Sequence, residues 1–114
     1  MSLPKLQISA TCVRVPVMRA HSEAITVDFE RPMSHEQARR LLREADGVKV
    51  YDDPSNATYP LARLAEDTDD VWVGRIRNDL DRANTLHFWC VSDNLLKGAA
   101  LNAVQIAELL TRMS

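Results

Sequence analysis

The segment from Leu95 to Met113 constrains the fold most. Its apolar positions, among them Leu101, Val104, Ile106, Ala107, Leu109 and Leu110, run round most of the circumference of a helix instead of along one stripe. A helix apolar on nearly every side has to be covered on nearly every side, and a chain of 114 residues holds little material with which to do so. This helix is therefore expected to pack against something outside the chain or across a subunit interface.

The rest of the pattern alternates strands with one clear helix. Ile8 to Val17 is rich in β-branched residues and reads as a largely buried strand whose pairing Pro16 limits at the far end. From Ala24 to Glu30, Ile25, Val27 and Phe29 alternate with Thr26, Asp28 and Glu30, the signature of a half-solvated antiparallel strand. These two strands are expected to form a hairpin-like pair joined by Met18 to Ser22. Ser34 and Gln37 then form a capping box ahead of a stripe of Ala38, Leu41, Leu42 and Ala45, with Gly47 closing the helix. Val48 to Tyr51 reads as a short strand, 52–56 as a loop, and Pro60 to Glu66 as room for a helical turn. Val71 to Arg77 and Leu86 to Ser92 are two further strands joined by the polar, exposed loop 78–84. The sum is one α+β domain over 1–114, with a mostly antiparallel or mixed sheet of about five strands and two long helices. Residues 1–5 carry no pattern and are expected to be disordered or left over from cloning.

Composition narrows the function classes. With 46% apolar residues, 26% charged residues and a formal charge of −2, the chain has no basic surplus for nucleic acid or an anionic membrane. No apolar run approaches the roughly 20 residues of a membrane span, and the N-terminus has no signal-peptide pattern, so the cytoplasm is the expected compartment. Cys12 and Cys90 lie in apolar runs without metal-site spacing and are expected to be buried, reduced thiols. The acidic cluster Glu66, Asp67, Asp69 and Asp70 lacks the spacing of a calcium loop and reads as solvated. Gly74, alone in a strand, marks a bulge or a close backbone approach.

Two residues stand out chemically. Arg14 sits in an otherwise apolar run where a guanidinium needs an anion, and a substrate carboxylate would supply one through two parallel hydrogen bonds. His21, in a short Ala-His-Ser connection between strands, is placed as loop-borne proton carriers often are. His35, in the first turn of a capped helix, and His87, on a strand, read as structural or solvated. Ser22 has no neighbours that would make it a nucleophile.

The run 12–17, followed by Ala20-His21-Ser22-Glu23, then Val73-Gly74-Arg75-Ile76-Arg77, then the long stretch 91–108 beginning Val91-Ser92-Asp93-Asn94, closely resembles the C-terminal part of bacterial aspartate-β-semialdehyde dehydrogenase. The likeness runs from about Ile8 to Leu110 with the motifs in order. It implies a fragment of a glyceraldehyde-phosphate-dehydrogenase-like C-terminal domain, the last third of an enzyme whose first domain binds NADP. The reaction implied is the NADPH-dependent reduction of β-aspartyl phosphate to aspartate semialdehyde and phosphate through a cysteine thioester, on the route to lysine, methionine and threonine. On this resemblance His21 matches the acid/base histidine, Arg14 the arginine that holds the substrate α-carboxylate, and Asn94 a polar position near the nicotinamide. A homodimer is implied, with no metal.

The chain departs from the pattern in two ways. Many members have Gly where this chain has Ala20. Neither Cys12 nor Cys90 matches the cysteine nucleophile, and the glycine-rich dinucleotide turn is missing, so the chain alone is expected to be inactive. In the family the last helix packs beside the N-terminal domain, so the isolated chain is expected to hide it by self-association. Two other readings remain: a non-catalytic dimerisation or interaction domain related to the family, and the acyl-phosphate reductase of arginine synthesis, which the run from Asp93 to Ala100 fits less well.

Overall fold

The computed structural model describes residues 5–112 and arranges them on a four-stranded mixed sheet. In chain order come β1 (His21–Asp28), α1 (His35–Glu44), β2 (Val48–Val50), a 3₁₀ turn (Pro54–Asn56), α2 (Ala62–Ala65), β3 (Val71–Asn78), β4 (Thr85–Ser92), a π-helical turn (Leu96–Ala100) and α3 (Leu101–Arg112). The strands lie in the order β1-β4-β3-β2; β4 pairs antiparallel with both neighbours, and β2 runs parallel to β3. The class is α+β, as the pattern requires. Residues 1–4 and 113–114, and with them most of the expected N-terminal tail and the end of the last helix, lie outside the described residues.

Local chemistry explains α1. The Ser34 hydroxyl accepts the Gln37 amide at 3.2 Å, and the Gln37 side chain accepts the Ser34 amide at 3.1 Å, which completes the capping box. Gly47 follows at φ +71, where glycine carries no Cβ penalty.

Strand alternation divides the core between the two faces of the sheet. Ala38 of α1 packs with Val73, Ile76 and Leu86 on one face, and Ala20 and Ala65 pack with Trp72 and Val91 on the other. Leu86 and Val91 are fully buried, each worth roughly 1.5–3 kcal/mol of transfer free energy.

The sheet has four strands and not five, because Ile8 to Val17 forms no strand. These residues are irregular and exposed, with a tight turn at Pro16 in which the Val17 amide donates to the Val15 carbonyl at 2.8 Å. A β-branched run needs a neighbouring strand to satisfy its amides, and the expected partner pairs elsewhere: β1 lies against β4. Cys12 is consequently exposed, while Cys90 in β4 is half-buried. β1 also starts earlier than its alternation suggests, so His21 is a strand residue and not a loop residue.

The lone glycine of β3 meets both of its expectations. A Cβ on Gly74 would lie 2.5 Å from the Tyr51 carbonyl oxygen and 2.5 Å from Cδ of Pro60, and the β3–β4 register shifts between Gly74 and Arg77. The polar connection 78–84 is a tight turn in which Asp79 accepts the amides of Asp81 and Arg82, both at 3.0 Å. The last helix begins as the π-helical turn and continues as α3, none of whose residues is buried; Val104, Ile106 and Leu109 are exposed. Nothing in the described chain provides the cover that its apolar circumference calls for.

Candidate functional site

The start of β1 and the end of β4 meet at one end of the sheet. His21 opens β1 opposite Ser92, the last residue of β4, and Asp93 and Asn94 follow directly. The backbone that delivers His21 is unusual: Ala20 sits at φ +75, where a side chain costs on the order of 1–3 kcal/mol, and only 5% of it is exposed. Its position is held by the Asn94 carboxamide, whose Oδ1 accepts the Ala20 amide at 3.1 Å. An amide donor on that side identifies the oxygen of the carboxamide and leaves the Asn94 Nδ2 donors without a partner among the described residues.

A second tether lies one residue earlier in both segments. Arg19 bridges two carboxylates, meeting Asp67 at 2.6 Å and Asp93 at 2.8 Å. Asp93 is fully buried, yet its carboxylate is well served: Oδ2 also accepts the Asp67 amide and Oδ1 the Leu95 amide, each at 2.9 Å. Burial alone would raise its pKa, but the two amides and the Arg19 guanidinium outweigh that and hold the carboxyl below its usual range. The Asp93 carbonyl in turn accepts the Leu96 and Lys97 amides at 3.2 and 2.9 Å, which anchors the π-helical turn.

The three histidines differ in a way the sequence does not display. His87 is held at both ring nitrogens, by the Thr26 hydroxyl at 2.9 Å and by Asp79 at 2.7 Å. His35 is likewise held, by Asn78 at 2.9 Å and Glu36 at 3.0 Å. His21 is exposed, and its ring has no hydrogen-bond or ion-pair partner among the described residues. It is the histidine whose nitrogens are available to a substrate.

Arg14 lies in the irregular segment before β1. It is exposed, not buried as its apolar surroundings suggest, because that segment finds no strand partner. No described interaction ties it to His21, whereas Asn94 and His21 are brought to one end of the sheet through the Ala20 tether. The residues missed in the sequence are Arg19, Asp93 and Asp67. A signal existed for Asp93: an aspartate directly after a strand, two residues before an amide it accepts, is an Asx turn. Asp67 reads as part of a solvated cluster, and its pairing with a residue 48 positions away has no local signature. Among the described residues no group of His, Cys, Asp or Glu side chains forms a metal site, and no helix is long and apolar enough to cross a membrane.

Comparison with known proteins agrees with this architecture. A family model described as semialdehyde dehydrogenase, dimerisation domain, matches residues 1–97. The aspartate-semialdehyde dehydrogenase of Bacillus subtilis is 52% identical over 115 aligned positions, covering 100% of this chain and 33% of that protein. The Campylobacter jejuni enzyme of the same name is 50% identical over 103 residues, covering 90% of this chain and 30% of that protein. Among solved structures, aspartate semialdehyde dehydrogenase II of Vibrio cholerae complexed with ASA superposes with a TM-score of 0.82 at 46% identity, covering 90% of this chain and 30% of that one. The Candida albicans enzyme with NADP gives 0.70 at 32% identity, covering 86% and 31%. The chain thus spans about a third of the length of these relatives. Its sheet, its elements and its sequence over 1–97 agree, and the chain belongs to the semialdehyde dehydrogenase dimerisation-domain family.

Proposed function

We propose that this chain is the C-terminal catalytic and dimerisation segment of an NADP-dependent aspartate-semialdehyde dehydrogenase, acting in the cytoplasm as a homodimer on β-aspartyl phosphate and aspartate semialdehyde. The observation that carries the reading is the free ring of His21 at the end of the sheet, in a chain 52% identical to the Bacillus subtilis enzyme along its whole length. A histidine locked by two partners, as His35 and His87 are, has no nitrogen to spare for a substrate; His21 has both.

In this reading the residues divide the work. The His21 imidazole exchanges a proton with the substrate oxygen as charge develops on it. Arg14, exposed and unpaired among the described residues, takes the α-carboxylate with two parallel N–H donors. The free Nδ2 donors of Asn94 suit the carbonyl of a nicotinamide carboxamide. Bound NADPH supplies the hydride, and its main binding surface, like the cysteine nucleophile, belongs to the preceding two thirds of such an enzyme.

The test starts with the coding sequence upstream of Leu6, which is expected to encode a glycine-rich dinucleotide turn and a cysteine after glycine. The complete polypeptide is expected to reduce NADP in the presence of aspartate semialdehyde and phosphate. His21→Ala should lower kcat by about 10²-fold or more, and Arg14→Lys should mainly raise KM for the semialdehyde. An upstream sequence without these features, or a His21→Ala enzyme with full kcat, overturns the reading.

A further inference from the structure

A group that transfers protons has to be aimed, and the ring of His21 has no partner among the described residues to aim it. The backbone from which it projects therefore sets the position and the Cα–Cβ direction from which the ring reaches out. That backbone is held in a conformation that alanine does not choose: Ala20 lies at φ +75. A strained conformation persists only where surrounding contacts over-determine it.

Those contacts come from two consecutive residues, Asp93 and Asn94, acting on two consecutive residues, Arg19 and Ala20. Asn94 Oδ1 accepts the Ala20 amide at 3.1 Å, across 74 positions of sequence. Asp93, fully buried, takes the Arg19 guanidinium at 2.8 Å and is itself fixed by the amides of Asp67 and Leu95. The far side of Arg19 is anchored on Asp67 at 2.6 Å. The pairing of His21 with Ser92 continues the same register into β1. Resting on the reading of His21 as the proton carrier, we propose that Asn94, together with the Arg19–Asp93 ion pair, is a positioning residue that fixes the backbone from which the His21 ring projects.

The role acts through His21, so a double-mutant cycle on the complete enzyme isolates it. Asn94→Ala is expected to lower kcat about tenfold where His21 is present, and by less than about twofold in the His21→Ala background. Asn94→Asp keeps an acceptor for the Ala20 amide and is expected to restore kcat to within about threefold, with any loss of Nδ2 donation appearing in KM for NADP. Arg19→Met is expected to lower kcat in the same His21-dependent way, and Arg19→Lys to recover part of it. If Arg19→Met fails to fold, the Asn94 cycle decides alone: within the chain Asn94→Ala removes only the bond to the Ala20 amide and leaves Asp93 paired, and the Asn94→Asp variant separates that bond from any Nδ2 contact with the nicotinamide. Equal losses from Asn94→Ala with and without His21 would show that Asn94 acts independently of His21, through the fold or through the nicotinamide, and overturn the proposal. So would an unchanged kcat in Asn94→Ala. A His21→Ala enzyme of full activity would instead overturn the underlying assignment of His21, so the two failures are distinguishable.

Discussion

Arg39, on α1, donates to the buried carboxylate of Asp52 at 2.6 Å, and the same carboxylate accepts the amides of Arg75 and Ile76 at 2.7 and 3.3 Å where β3 bulges. One side chain therefore ties the helix to the irregular part of the central sheet. Arg75 sits at φ +54, so the bulge is strained and its amides are turned away from the regular ladder toward Asp52. Asp52→Ala leaves two amides and a guanidinium without their acceptor and is expected to cost about 3 kcal/mol. Urea unfolding of the purified chain measures it; a loss below about 0.5 kcal/mol would mean that water replaces the carboxylate at no cost.

Gly74→Ala tests the close approach on the other side of the same bulge. The added methyl meets the Tyr51 carbonyl and the Pro60 ring at 2.5 Å, and a backbone oxygen cannot swing aside as a flexible side chain can. The expected destabilisation is about 2 kcal/mol or more, from displacement of the segment beyond β2. Thermal melting followed by circular dichroism reads it, and a melting temperature within about 1 °C of the parent would contradict the contact.

The two thiols are expected to react at very different rates. Cys12 is exposed. Burial, reinforced by the negative charge of Glu23 across the β1–β4 pair, pushes the Cys90 thiol from 9.0 up to about 11. At pH 8 the thiolate fraction of Cys90 is then about 100-fold below that of an ordinary thiol. A disulfide reagent should therefore modify one cysteine rapidly and the other slowly, with Cys12→Ser removing the fast phase. A fast phase that survives this change would place Cys90 in solvent.

Acid should weaken the fold through identifiable carboxylates. The hydrogen bond from His87 holds Asp79 well below the usual carboxylate range, aided by the amides of Asp81 and Arg82 and the charge of Arg82, and opposed by desolvation. A carboxyl depressed in the folded state stabilises at pH values above its unfolded pKa, near 3.8, and that contribution is lost as pH falls toward its folded value. Asp93, also depressed, acts in the same direction. The melting temperature is expected to fall from about pH 5 downward. Asp79→Asn should lower it by a few degrees at pH 7 and flatten the acid dependence. A variant as steep as the parent between pH 5 and 2 would remove Asp79 from this account.

The elements legible in the sequence are those whose causes are local. Ser34 and Gln37 satisfy each other's amides within one turn, so the start of α1 follows from four residues. Val71 to Asn78 and Thr85 to Ser92 are joined by a short turn, and their pairing needs no distant partner. Ile8 to Val17 carries the composition of a strand, but a strand is completed by its neighbour, and no neighbour stands beside it in the described chain. For the site, the separate place of His21 between the first two apolar runs was visible, while the strand register that puts it opposite Ser92 was not. Asn94 stands out only through the family resemblance, and its bond to the Ala20 amide, like the pairing of Arg19 with Asp93 and Asp67, is not legible in sequence because it joins distant segments of the chain. Each taken alone is an ordinary residue in an ordinary turn.

The order of strands also governs how the molecule assembles. His87 faces Asp79 only 8 positions away within the β3–β4 hairpin, whereas its other partner, Thr26 of β1, is 61 positions distant. Closing the longer loop costs about 2 kcal/mol more chain entropy than closing the shorter one. The hairpin is therefore the favoured early structure and β1 the late arrival, added to an edge that already exists. The strand that begins with His21 is thus expected to be the last to gain amide protection during refolding and the first to lose it on partial unfolding. The residue proposed to move protons stands on the seam along which the sheet closes.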